Sequence, residues 1–168
     1  ITGTGIGVNA AIVSGASLLE IQSNNITTAS GAIRIDSGSR FRILGNNIEH
    51  SAVGALADNN ASVVNVSGSA GTMYGGVIQQ NLVSGFGSSD ATILLRLRNS
   101  RGTLIQDNVF LNGTSATTGI DVGSDCQDVR IGANTFNAAV TTQVNDNGVG
   151  TMGVVKALTL QNSWVAFA

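Results

Sequence analysis

One rhythm of apolar and polar positions recurs along this chain: an apolar residue, two others, Asn, one other, then an apolar residue again. It occurs at Ile21, Asn24 and Ile26, at Ile43, Asn46 and Ile48, at Ile78, Asn81 and Val83, at Ile105, Asn108 and Phe110, and at Ile131, Asn134 and Phe136. The copies start 22, 35, 27 and 26 residues apart, the spacing of a structural repeat whose insertions are confined to one loop. Ahead of each copy stands a pair of apolar residues with one residue between them: Ala11 and Val13, Ile33 and Ile35, Val64 and Val66, Leu95 and Leu97, Ile120 and Val122. That alternation predicts a short strand. A turn rich in Ser, Gly, Asn or Asp follows every pair, which separates it from the strand that leads into the Asn motif.

Each repeat therefore reads as three short strands, and one such rung cannot bury its own inward side chains. Stacking rungs about 4.8 Å apart pairs each backbone group with the rung above and below, and five rungs make a shaft on the order of 25 Å long. Asn at the bend is expected for two reasons. It tolerates the left-handed conformation of a tight corner, and its amide can bond to the Asn of the next rung to form a ladder. The repeat signal fades near Val144, so residues 1–145 are expected to form the stack. Residues 146–168 are expected to be a junction to, or the start of, a further β-rich module.

Composition agrees with such a stack. The 168 residues include 22 Gly and no Pro, and absence of Pro suits a backbone whose N–H groups nearly all enter ladders. A net charge of −2 gives no electrostatic case for nucleic acid or an anionic membrane surface. No run of 18 apolar residues and no signal-peptide pattern is present, so membrane insertion is not expected. Cys126 is alone, which excludes an internal disulfide. With one Cys and one His a zinc site is not expected. GTGIG near the start lacks the Lys and following helix of a nucleotide loop, and no cofactor is implied. The chain reads as a piece of something longer, beginning at ITGTGIG and ending at WVAFA.

The Asn motif with its preceding strand resembles the right-handed, single-stranded parallel β-helix of pectate-lyase-like proteins. That resemblance implies an all-β fold, in which Asn24, Asn46, Asn81, Asn108 and Asn134 form the ladder and the long variable segments form the third turn. Fold does not fix function, because this architecture hosts lyases, hydrolases, epimerases, adhesins and virion spikes. The segment ALTLQNSWVAFA is similar to the opening of a β-rich module near the C-termini of bacteriophage tail fibres and tailspikes. What this second resemblance implies is a phage spike shaft in the virion tail. Such a shaft is a homotrimer, contacts other virion tail proteins and attaches to bacterial surface polysaccharide. Polysaccharide cleavage by the same face, or a secreted bacterial lyase or epimerase, are the alternatives.

Candidate chemistry follows from strand alternation. If Ile33 and Ile35 face inward, Arg34 and Asp36 face outward, and the rungs then present a column of Ile12, Arg34, Asn65, Arg96 and Asp121. Beside it runs a column of Ser14, Asp36, Ser67, Arg98 and Gly123. Arg34, Arg96 and Arg98 suit contacts to acidic sugars or hydroxyl pairs. Asp36 and Asp121, with Asp58 and Asp90 from the variable loops, are the candidate acids and bases for glycoside cleavage. The plainer reading of the same face is a set of cross-strand charge pairs. Too few acids cluster on adjacent outward positions for calcium, since the third-strand series Thr27, Glu49, Ser84, Leu111 and Asn137 offers one. His50 has no nucleophile partner in any motif and reads as a surface residue. Leu18, Leu44, Leu104 and Leu111 would form an outward apolar strip that three shafts could share.

Overall fold

The computed structural model describes residues 2–3, 8–11, 18–28, 31–37, 40–50, 62–67, 73–85, 93–113, 118–153 and 158–160. Every named strand pairs in parallel with its equivalent one turn away, and the result is three sheets of six, six and seven strands. No helix occurs among the described residues. The first sheet contains Val8–Ala11, Ile33–Ser37, Ser62–Val66, Ile93–Leu97, Thr118–Val122 and Thr142–Asp146. The second contains Leu18–Gln22, Arg40–Leu44, Val77–Gln79, Leu104–Gln106, Arg130–Ile131 and Met152–Gly153. The third begins with Thr2–Gly3 and continues through Asn25–Thr28, Asn47–His50, Leu82–Gly85, Val109–Asn112, Thr135–Asn137 and Leu158–Leu160. This is the parallel β-solenoid that the repeat predicts.

The core is built by stacking equivalents. Ile33, Val64, Leu95, Ile120 and Val144 are register partners down the first sheet. Ile21, Ile43, Ile78, Ile105 and Ile131 do the same down the second, and Ile26, Ile48, Val83, Phe110 and Phe136 down the third. All but Val144 are buried. Each contributes roughly 1.5–3 kcal/mol of hydrophobic stabilisation. Phe110 and Phe136 stack with ring centroids 5.2 Å apart and an interplanar angle of 14°. Where one turn carries a large side chain, a neighbour is reduced to Gly. A Cβ on Gly76 would sit 2.1 Å from the Phe41 ring, and one on Gly119 would sit 2.4 Å from the Phe136 ring.

The five motif asparagines form a continuous ladder. The Nδ2 atoms of Asn24, Asn46, Asn81 and Asn108 each donate to Oδ1 of the Asn one turn on, at 2.9–3.1 Å. Each of those Oδ1 atoms also accepts the backbone N–H of the preceding Asn at 2.9–3.0 Å. Nδ2 of the later asparagines reaches back to the carbonyl of the motif Ile one turn earlier, as from Asn81 to Ile43 at 2.8 Å. Four of the five are buried, so these bonds satisfy groups that water does not reach.

The structure corrects the sequence reading in three places. The left-handed residue at the corner is the one before the Asn, not the Asn itself. Ser23, Gly45, Gln80 and Asp107 have φ of 55°, 60°, 57° and 55°, which leaves each Asn free to aim its amide along the shaft. The earliest first-sheet strand is Val8–Ala11, with Val8 opposite Ile33 and Ala10 opposite Ile35. Val8 and Ala10 thus replace Ala11 and Val13 as the apolar pair, and Asn9 replaces Ile12 opposite Arg34. Ile12, Val13 and Ser14 lie outside the described residues. The winding also continues past Val144. Thr142–Asp146, Met152–Gly153 and Leu158–Leu160 pair with the preceding strands of the first, second and third sheets. The break was expected there because Asp146, Gly153 and Thr159 occupy register positions that hold Val122, Ile131 and Phe136 one turn earlier.

A small extra face, unforeseen in the sequence, sits between the first and second sheets. Met73–Tyr74 pairs with Ser100–Arg101, and single bridges join Arg101 to Gln127 and Gln127 to Val149. It ends in a second column of left-handed residues, Gly75, Gly102, Asp128 and Gly150.

Two stability measurements test this packing. Asn81→Ala strips a buried ladder position on both sides and is expected to cost on the order of 3 kcal/mol in urea unfolding, whereas Asn24→Ala, at the less buried end, should cost about 1 kcal/mol. Gly76→Ala should cost about 1–3 kcal/mol by overpacking against Phe41, and Phe41→Leu in the same chain should recover much of it. Additive effects of the two substitutions would contradict the Gly76–Phe41 contact.

Candidate functional site

The outward face of the first sheet brings most of the predicted polar residues together. Arg34, Asn65, Arg96, Asp121 and Asn145 are consecutive register partners, so they form one column along the shaft. Ser67 follows Asp36 and Arg98 follows Ser67 in the adjacent column, shown by backbone bonds from Ser67 to the Ile35 carbonyl and from Arg98 to the Val66 carbonyl. Strand pairing positions both columns, and the buried Ile, Val and Leu of the same strands anchor them.

Two ionic clusters occupy this face. Near one end, Arg34 Nε donates to both oxygens of Asp36 at 2.9 and 3.0 Å, and Ser67 Oγ donates to Asp36 Oδ1 at 2.9 Å. Further along, Asp121 is the hub. Its Oδ2 accepts a hydrogen bond from Arg98 Nη2 and lies 3.6 Å from Arg96 Nε, while its Oδ1 accepts Asn145 Nδ2 at 2.7 Å. Arg98 Nη1 also donates to the carbonyls of Leu97, at 2.8 Å, and Asp121, at 3.2 Å. Although it points outward, Asp121 keeps only 4% exposure. Burial lowers the pKa of Arg96 from its ordinary value, and the like charge of Arg98 adds to that, while Asp121 opposes both.

This geometry bears on the candidate acids and bases. Asp36 and Asp121 stand three turns apart, roughly 14 Å at the usual strand spacing, whereas paired carboxyls that cleave glycosides stand about 5–10 Å apart. The carboxylate oxygens of both already accept hydrogen bonds. Asp58 and Asp90 lie outside the described residues. What the face offers is guanidinium and amide groups held at strand spacing, an arrangement suited to grip rather than to proton transfer. The hollow of about 450 Å³ bounded by Ile131, Gln143, Asp146 and Thr151 lies at the far end and includes none of the predicted residues.

Three residues alter the predicted picture. Asn145 completes the Asp121 cluster, and no apolar pair marks its strand, because Asp146 stands where Val122 stands one turn earlier. Asn65 is 4% exposed, and its Oδ1 has no hydrogen-bond partner. His50, expected on the surface, is fully buried, because it follows Ile48 with one residue between and so shares the inward side of its strand. Among the described residues no group of His, Cys, Asp and Glu could hold a metal ion. Burial pushes the Cys126 thiol above its ordinary pKa, as expected of an unreactive core cysteine. Among the described residues no helix is long and apolar enough to cross a membrane.

The two clusters are expected to differ in what they contribute to stability. Asp121→Ala leaves two guanidinium groups beside a buried gap and should cost about 2–3 kcal/mol. Asp36→Ala, where Arg34 is 32% exposed, should cost under about 1 kcal/mol. Urea unfolding at neutral pH checks both, and equal losses would contradict the difference in burial.

Compared with protein-family models, curated proteins and solved structures, the chain matches none.

Proposed function

We propose that this chain is a length of the shaft of a bacteriophage tailspike or tail fibre, and that it attaches to bacterial surface polysaccharide through the outward face of its first sheet. The observation that carries the reading is the column of Arg34, Asn65, Arg96, Asp121 and Asn145 in unbroken register. A polymer lying along the shaft would meet Arg34, Arg96 and Asn145 on a surface that backbone ladders keep rigid, while the buried Asn65 and Asp121 stand between them. Arg suits the carboxylates of acidic sugars because it presents a planar fork of N–H donors. Attachment is favoured over cleavage because Asp36 and Asp121 are distant from each other and already hydrogen-bonded. The C-terminal likeness of ALTLQNSWVAFA to phage spike modules supports the virion tail as its location and other tail proteins as its neighbours. In this reading three copies stand side by side, and Leu18, 48% exposed, with the half-buried Leu44, Leu104 and Leu111 contributes to the contact.

The test uses the full-length protein on an array of purified bacterial capsular polysaccharides, neutral and acidic. Acidic polymers should be retained, and the double variant Arg34→Ala, Arg96→Ala should weaken retention by about a hundredfold or more, since two hydrogen bonds to charged groups are lost and each is worth about 1.5–3 kcal/mol. Retention unchanged in a folded double variant would remove this face from the reading. Release of oligosaccharide by the wild type would replace attachment with cleavage.

A further inference from the structure

The buried histidine has no role in the proposed attachment, and its surroundings are unusual for an ionisable group. His50 ends the third-sheet strand Asn47–His50, where burial alternates so that Ile48 and His50 point inward. Both have 0% exposure. Thr28 is its register partner one turn back, and the strand one turn on, Leu82–Gly85, is buried from Val83 to Gly85. Across the interior, Ser62–Val66 is buried throughout. None of these neighbouring strands presents a titratable side chain to the interior, and Glu49, on the strand of His50 itself, belongs to the outward series with Thr27 and Ser84. Neither Nδ1 nor Nε2 of His50 has a hydrogen-bond partner. A neutral imidazole tolerates this position at some cost, but an imidazolium would be a buried charge that no anion faces among the described residues.

We propose that His50 is an acid-sensitive weak point of the shaft: protonation of its imidazole opens the stack at this turn, so the solenoid is firm near neutrality and loosens in mildly acidic surroundings. The direction follows from linkage. Burial lowers the pKa of His50 from its ordinary 6.5, with its own backbone opposing more weakly. The unfolded chain, where the imidazole is solvated, binds the proton first. Stability is therefore complete above about pH 6.5 and is lost as pH falls below it, by about tenfold in the folding equilibrium constant per pH unit until the folded-state pKa is reached. This inference stands apart from what the outer face binds.

His50 is the sole histidine in the chain, so its imidazole resonances can be followed without ambiguity. Urea unfolding of the chain between pH 8 and pH 5 is compared with that of His50→Asn and His50→Leu. The wild type should lose stability below pH 6.5 by about tenfold per pH unit more than either variant, and its folded imidazole should remain neutral below pH 6.5. Parallel pH profiles for wild type and variants would overturn the proposal. If neither variant folds, the wild-type titration decides: an imidazole that protonates near pH 6.5 while the fold stays intact would overturn it equally.

Discussion

The rest of the structure depends on each turn being in register with the next. In a parallel solenoid a side chain's nearest neighbours along the shaft are its own equivalents, so any favourable position has to be favourable to itself. The Asn ladder states the constraint most strictly. Each amide can donate to the next turn and accept from the previous one only because another Asn stands at the same height, as Asn81 does between Asn46 and Asn108. A slip of one residue would leave these buried amides without partners and turn the aliphatic columns outward together. Hydrophobic stacking supplies most of the stabilisation, while the ladder specifies which stacking occurs.

Self-stacking has a cost where side chains are too large or carry charge. Phe41 and Phe136 each exceed the space of one turn, and Gly76 and Gly119 yield it. On the outside, like charges stacked directly would repel. The first-sheet column instead runs Arg34, Asn65, Arg96, Asp121 and Asn145, so a neutral amide separates two guanidinium groups and a carboxylate follows. This arrangement holds Asp121 by Arg98 and Asn145, so that both of its carboxylate oxygens accept hydrogen bonds. At His50 neither device operates, since among the described residues it has neither a like partner to bond nor an opposite charge to meet.

The repeat was legible in the sequence because its parts are local. The spacing from Ile to Asn to Ile spans a few residues, and strand alternation decides which neighbours point inward. For the same reason Arg34, Asn65, Arg96 and Asp121 could be assigned to one outward column before any coordinates. The ends were harder to read, since the turn beginning at Val8 and the turn after Val144 carry Ala10, Asp146 and Gly153 at positions where the pattern needs bulky apolar residues. Tertiary pairing carried these turns into the stack despite their weak signal.

The amino-acid order by itself determined that the chain coils, which residues line its interior, and which five asparagines meet, because each of these repeats at short range. The folded structure alone decided that Asn145 closes the second cluster and that Asp121, although it points outward, is almost fully covered. Those facts depend on which strand pairs at the end of the stack and on what lies over a position. Such quantities are set by the winding as a whole and by loops of unequal length, which leave no periodic trace along the chain.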